Sequence, residues 1–169
     1  MYYDAFSSNV NQVINVATEL AKRSGCKYIG SEHILFGLIN VPEGRAASIL
    51  KEAGVESQRY LSLYMKTVDP NVIIPGNMFT ARTKKLFETA IDVSLKAHSG
   101  YVGTEHLLLA VLFFEDSMAV SILKYMRINV EKMMNDLYQS LMSPANKMDD
   151  DDEEEVEEKP QPKEKQGKP

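Results

Sequence analysis

The chain has no tryptophan and a single cysteine, Cys26, in 169 residues. One thiol excludes an intrachain disulfide and any zinc site built from several cysteines, and it suits a reducing compartment. No apolar run approaches the ~18–20 residues of a membrane span, and Met1-Tyr2-Tyr3-Asp4 lacks the basic and apolar segments of a secretory signal. The expectation is a cytoplasmic protein with no membrane partner. A Gly-x-x-x-x-Gly-Lys-Ser/Thr phosphate loop is missing as well, so the chain lacks the usual means of hydrolysing ATP. A basic surface is also wanting. The net charge is −5, but residues 149–169 hold ten acids and four lysines, leaving 14 acids against 15 bases in residues 1–148. A near-neutral body argues against binding to a nucleic-acid backbone. The tail is acidic at every position from Asp149 to Glu158 except Val156, then rich in Pro, Lys and Gln. Such a segment buries too little apolar area to offset its ordering entropy and reads as a disordered spacer, with an acidic docking tail as the alternative.

What is present is a duplication. Tyr28-Ile29-Gly30-Ser31-Glu32-His33 recurs 73 residues later as Tyr101-Val102-Gly103-Thr104-Glu105-His106. The same offset carries Phe6 onto Phe79, Ala17 onto Ala90, Ala46 onto Ala119, and Ser48 through Lys51 onto Ser121 through Lys124. A period this long, present twice, indicates a tandem pair of multi-helix units and not a solenoid.

Val10, Val13, Ile14, Ala17, Leu20 and Ala21 follow the spacing of a helix with one buried face. Ser7 or Ser8 can cap it, and Gly25 ends it. Ser31 reads as the cap of a second helix whose run Ile34 to Ile39 is apolar almost all round, so this helix should be central. Ala46 to Ala53, ended by Gly54, and Glu56 to Lys66 complete the unit. In the second copy Thr80 caps a helix to about Ala97 and Thr104 caps one buried through Leu112, followed by helices from Ser117 to Met126 and from Val130 to Leu141. Pro70, Pro75 and Gly76 mark a linker over Val68 to Met78. The expected fold is all-α: a pseudo-twofold tandem duplication of a four-helix repeat, about eight helices in all. Its domain spans 1–145, with repeat one at about 5–67 and repeat two at about 79–142, followed by the disordered acidic tail at 146–169.

Gly-[Ser/Thr]-Glu-His at a helix start puts Glu32 and Glu105 where the helix dipole favours an anion. His33 and His106 read as semi-buried donors that hold the turn. Ser7 and Thr80 share the 73-residue offset and open the first helix of each repeat, where free N–H groups can hold a phosphate. Lys84 follows Thr80 by one turn, and Asn11 is its counterpart. Taking each repeat by itself, Ser7 would act with Glu32, and Thr80 and Lys84 with Glu105. A phosphate-ready helix start beside a carboxylate suits a ligand carrying both phosphate and guanidinium. A metal centre built from His33, His98, His106, Glu32 and Glu105 is disfavoured, because adjacent Glu-His pairs point about 100° apart on a helix and do not converge. Nucleophilic catalysis by Cys26 is disfavoured too, since the chain offers no nucleophile elbow and Ser99 stands at the matching position. No catalytic residue is assigned.

With its paired Gly-Ser-Glu-His-Ile-Leu-Phe-Gly-Leu and Gly-Thr-Glu-His-Leu-Leu-Leu-Ala-Val signatures and Phe79-Thr80-Ala81-Arg82 opening the second copy, the chain resembles the N-terminal domain of Clp ATPases, nearest the ClpC type. The resemblance covers about residues 5 to 142. It implies a domain that recruits protein substrates and adaptor proteins to a hexameric AAA+ unfoldase feeding a ClpP-type peptidase, with ATP bound elsewhere in the full-length protein and no cofactor in this chain. It also implies phosphoarginine binding: Glu32 and Glu105 facing the guanidinium, Ser7 and Thr80 the phosphate, and Lys84 adding charge to the stronger, second site. Ser7-Ser8-Asn9-Val10, Ala81 and Ser99-Gly100 depart from the family pattern. The rival reading is a stand-alone repeat protein without a phosphoarginine site, which would hold a partner helix in an adaptable groove lined by Met65, Met78, Met118, Met126, Met133, Met134 and Met142. The same methionines also read as core filler.

Overall fold

A computed structural model describes residues 5–68 and 79–143; the proline-containing linker at 69–78 and the acidic tail expected at 146–169 lie outside the described residues. The first repeat contains α1 (Ser8–Arg23), α2 (Ser31–Ile39), α3 (Arg45–Glu52) and α4 (Ser57–Thr67), and the second α5 (Ala81–Lys96), α6 (Thr104–Phe113), α7 (Met118–Tyr125) and α8 (Val130–Met142). The fold is all-α, a duplicated four-helix repeat, as expected. Among the described residues there is no strand, and no single helix is long and apolar enough to cross a membrane.

The apolar stripe of α1 packs onto α2 through Val10, Val13 and Ala17, all fully buried. The approach is close because Gly37 of α2 has no side chain: a Cβ there would lie 2.5 Å from the Val13 carbonyl oxygen. In α6 all six residues from Leu107 to Leu112 are fully buried, each large one contributing roughly 1.5–3 kcal/mol of transfer free energy. Helices α2 and α6 form the centre, with the other six around them.

The repeats hold each other by exchange. Phe6 pairs with Val102 in an isolated parallel bridge, and Ile29 with Phe79 in the equivalent one. Ser7 N–H donates to the Val102 carbonyl at 2.9 Å, and Thr80 N–H to the Ile29 carbonyl at 3.2 Å. The motif hydroxyls cross over as well. Thr104 Oγ1 accepts from Ala46 N–H at the start of α3 (3.1 Å), and Ser31 Oγ from Ala119 N–H at the start of α7 (3.3 Å). This corrects the sequence reading, in which Ser31 and Thr104 cap their own helices. The caps are Gly30 and Gly103, and each hydroxyl serves a helix of the other repeat.

Four helices end alike. Cys26, Val55, Ser99 and Ile128 N–H groups donate to Ala21, Leu50, Ser94 and Leu123 carbonyls, the six-to-one bond of a Schellman motif. The residue before each has positive φ: Gly25 at 81°, Gly54 at 95°, His98 at 58° and Arg127 at 66°. Glycine takes that conformation freely, whereas an L side chain costs about 1–2 kcal/mol. The second repeat keeps the geometry without the glycines. A Cβ on Gly54 would meet only Ile128 Cδ1 at 3.9 Å, so its glycine answers to conformation and not to space.

Gly54→Ala should therefore cost about 1–2 kcal/mol, and Arg127→Gly should stabilise by up to about 1 kcal/mol, the gain being reduced by the entropy of glycine in the unfolded chain. Urea denaturation reads both. Residues 1–72 alone lack the acceptors at Val102 and Thr104 and should show no cooperative melt in calorimetry; a sharp transition would mean that the repeats are independent.

Candidate functional site

The motif turns are built by their histidines. His33 Nδ1 accepts the Gly30 N–H at 2.9 Å, and His106 Nδ1 the Gly103 N–H at 2.8 Å, the part that Glu or Gln plays in a capping box. Because Nδ1 of His33 is an acceptor, its proton sits on Nε2, 2.7 Å from the Tyr64 hydroxyl. Tyr64 then donates to Ser24 Oγ at 2.6 Å, and Ser24 to the Leu20 carbonyl at 2.7 Å. Both rings are buried. Burial pushes the His33 imidazole down to about 4, which keeps it neutral. The expectation of donors holding the turn is corrected at Nδ1, which accepts. His98 is exposed at the C-terminus of α5, and no three His, Cys, Asp or Glu side chains gather as a metal set among the described residues.

Glu32 folds back over its own helix start. A Cβ on Gly30 would lie 2.6 Å from Glu32 Oε1, so a side chain at this position would displace the carboxylate from where it lies. Burial holds the Glu32 carboxyl above the ordinary 4.5, against the opposing pull of its own backbone N–H and the Tyr28 hydroxyl. Tyr28 is pushed up to about 12, first by burial and then by the Glu32 charge. Tyr60 donates to the Glu32 backbone carbonyl at 2.8 Å.

Beside this carboxylate stands the start of α5, since Thr80 N–H bonds Ile29, the residue before Gly30. Thr83 O–H donates to the same Ile29 carbonyl at 2.9 Å, so the 2.8 Å contact between the two threonine hydroxyls leaves Thr80 as donor. Thr80 Oγ1 in turn accepts from Thr83 N–H at 3.1 Å. Lys84 lies half-buried one turn along. The structure thus sets the start of α5, with Thr80 and Lys84, against the turn of the first motif and not against that of the second. The pairing expected within each repeat is overturned by the exchange of first-helix starts between repeats.

Ser7, in the same way, lies beside the second motif. It is fully buried, and its Oγ accepts from Val10 N–H at 3.2 Å, which makes it an internal cap. Glu105 is fully buried too, with Oε2 3.9 Å from Nη1 of Arg45 on α3. Sequence reasoning missed Arg45, Tyr60 and Tyr64. Comparing the copies position by position would have flagged them, because Met118, Met133 and Leu137 stand at their counterparts. The methionines do not form one groove: Met126 and Met133 are in the core, Met65 lies by α1 and α4, and Met118 lines a cleft of about 250 Å³ between α4 and α7. Met78 lies outside the described residues.

The family model of the Clp repeat (R) N-terminal domain matches residues 5–73 and 78–165. A probable ATP-dependent Clp protease ATP-binding subunit of Chlamydia pneumoniae is 31% identical over 142 residues, 82% of this chain and 17% of that one. ClpC of Staphylococcus epidermidis is 29% identical over 145 residues, 85% of this chain and 18% of that one. The chain therefore spans less than a fifth of the length of these relatives. The crystal structure of the N-terminal domain of ClpD from Arabidopsis thaliana superposes with a TM-score of 0.72 at 19% identity, covering 85% of this chain and 98% of that one.

The buried His33 carries a pH signature. Its folded pKa of about 4 lies below the ordinary 6.5, so between these values the unfolded chain binds more protons. Stability is then fully present above pH 6.5 and is lost as pH falls towards 4, by about 3 kcal/mol from this group. Glu32 opposes it, since a raised carboxyl pKa favours the folded state as pH falls. Imidazole NMR should show His33 as the Nε2–H tautomer, titrating near pH 4; titration at 6.5 or an Nδ1 proton would refute the capping role.

Proposed function

The chain belongs to the Clp repeat (R) N-terminal domain family, and on that premise we propose that it is the substrate- and adaptor-recognition part of an ATP-dependent Clp unfoldase of the ClpC kind. It carries the repeat domain and no phosphate loop. In this reading ATP hydrolysis belongs to the remainder of a longer protein, an AAA+ hexamer that passes unfolded substrates to a ClpP-type peptidase.

The ligand at the surface of the domain is the phosphorylated arginine of a marked protein. One observation supports this reading: the Thr80–Ile29 bond sets the start of α5, which carries Lys84 one turn along, against the turn that leads into Gly30 and Glu32. Glu32, slightly exposed, pairs with the guanidinium, for which a carboxylate is the natural bidentate partner. Free N–H groups at the start of α5 and Lys84 receive the phosphate, favoured by the helix dipole. Met118 adds no competing cation at this copy. The stronger site is therefore the Glu32 copy and not, as the within-repeat pairing suggested, the Glu105 copy.

Calorimetry with phosphoarginine, phosphoserine and arginine tests this. Phosphoarginine should bind in the micromolar class, ahead of both others. Equal affinity for plain arginine would remove the phosphate part of the reading, and no binding to any of them would favour the accessory protein that docks a partner helix. Glu32→Gln should cost about 1.5–3 kcal/mol of binding, tenfold or more, because it removes a charge-assisted pair. Its melting temperature should change little. Affinity in the parent chain should also fall as pH drops through the raised Glu32 pKa, since only the carboxylate pairs with guanidinium.

A further inference from the structure

We propose that Arg45 is a resident guanidinium, filling beside Glu105 the position that a ligand's guanidinium takes beside Glu32, so that the chain closes the second copy of its own site. This rests on the reading of the Glu32 copy given under Proposed function. The exchange between repeats places the start of α3 against the start of α6, just as it places the start of α7 against that of α2. Each motif thus meets the first turn of a helix from the other repeat, and the residue that opens that helix is Arg45 at the second motif and Met118 at the first. One neighbour brings a guanidinium, and the other brings no charge.

The surroundings have diverged to match. Tyr60 and Tyr64, packed behind the first motif, become Met133 and Leu137 behind the second. A fully buried carboxylate such as that of Glu105 is stabilised by a cation held close to it, because burying a charge is strongly unfavourable unless it is paired. Arg45 supplies it. Its Nη1 is buried and 3.9 Å from Glu105 Oε2, an ion pair at longer than hydrogen-bond distance, while Nη2 reaches Ser140 Oγ of α8 at 3.5 Å. The side chain retains 17% exposure where it lines an open groove of about 460 Å³ between α3 and α8. That groove is the way in for a small guanidinium once the arginine is removed.

The test is chemical rescue of Arg45→Ala, read by melting temperature with low-millimolar ethylguanidinium or ethylammonium. The variant should melt below the parent, ethylguanidinium should restore several degrees where ethylammonium does not, and the parent should respond to neither. In Arg45→Ala/Glu105→Gln the selective rescue should vanish. If Arg45→Ala does not fold alone, recovery of folding with ethylguanidinium only gives the same answer. No selective rescue, or rescue that survives Glu105→Gln, overturns the proposal. Phosphoarginine titration of the parent should saturate at one ligand per chain; a second ligand lost on Glu105→Gln would also overturn it. Rescue does not depend on phosphoarginine, so a parent that binds none while Arg45→Ala is rescued would refute the Proposed function and leave the resident guanidinium standing.

Discussion

The structure depends on a reciprocal exchange of backbone partners between its halves. Ser7 N–H and Ala46 N–H in the first repeat find acceptors at Val102 and Thr104 in the second, while Thr80 N–H and Ala119 N–H in the second find theirs at Ile29 and Ser31 in the first. Buried N–H groups need partners, each unmade bond costing about 1–3 kcal/mol. Neither repeat can satisfy its own. The pseudo-twofold relation between halves is therefore a requirement of hydrogen bonding as much as of shape, and it puts each motif carboxylate beside elements of the other copy.

Duplication under that constraint fixes the backbone and frees the side chains behind it. Both motifs keep the histidine that closes the turn, at 2.9 and 2.8 Å from the capping glycine nitrogen. Around them the copies part. The first is backed by tyrosines, a hydroxyl chain through Ser24 and a carboxylate held against its own helix start. The second is backed by methionine and leucine, with a carboxylate near an arginine. Two sites that read alike in the motif are chemically different.

The helices were legible because their periodicity is strong and their ends carry local signals: Ser7, Thr80, Ser117 and Asn129 each cap with a side-chain oxygen. The ends of α5 and α7 were placed correctly as well, at Ala97 and Met126, but the left-handed conformation of His98 and Arg127 beyond them is one that composition does not announce. Ser31 and Thr104 misled for a related reason. A hydroxyl after glycine at a helix start looks like a cap, and only the tertiary fold shows that its N–H partner is more than fifty residues away. The site residues could be named from the motif, but their grouping could not, since no local pattern encodes which repeat supplies the neighbouring helix.

The exchange also bears on how the chain is made. A ribosome that has released α1 to α4 has delivered Ser7 and Ala46 but not Val102 or Thr104. At ~5–20 residues per second the missing partners follow about 2–7 seconds later. Until then the apolar α2 has its companions from the first repeat and lacks α6 and α7. The first half of this domain leaves the ribosome with backbone donors still seeking acceptors, and it becomes a finished surface only when the second half is threaded against it.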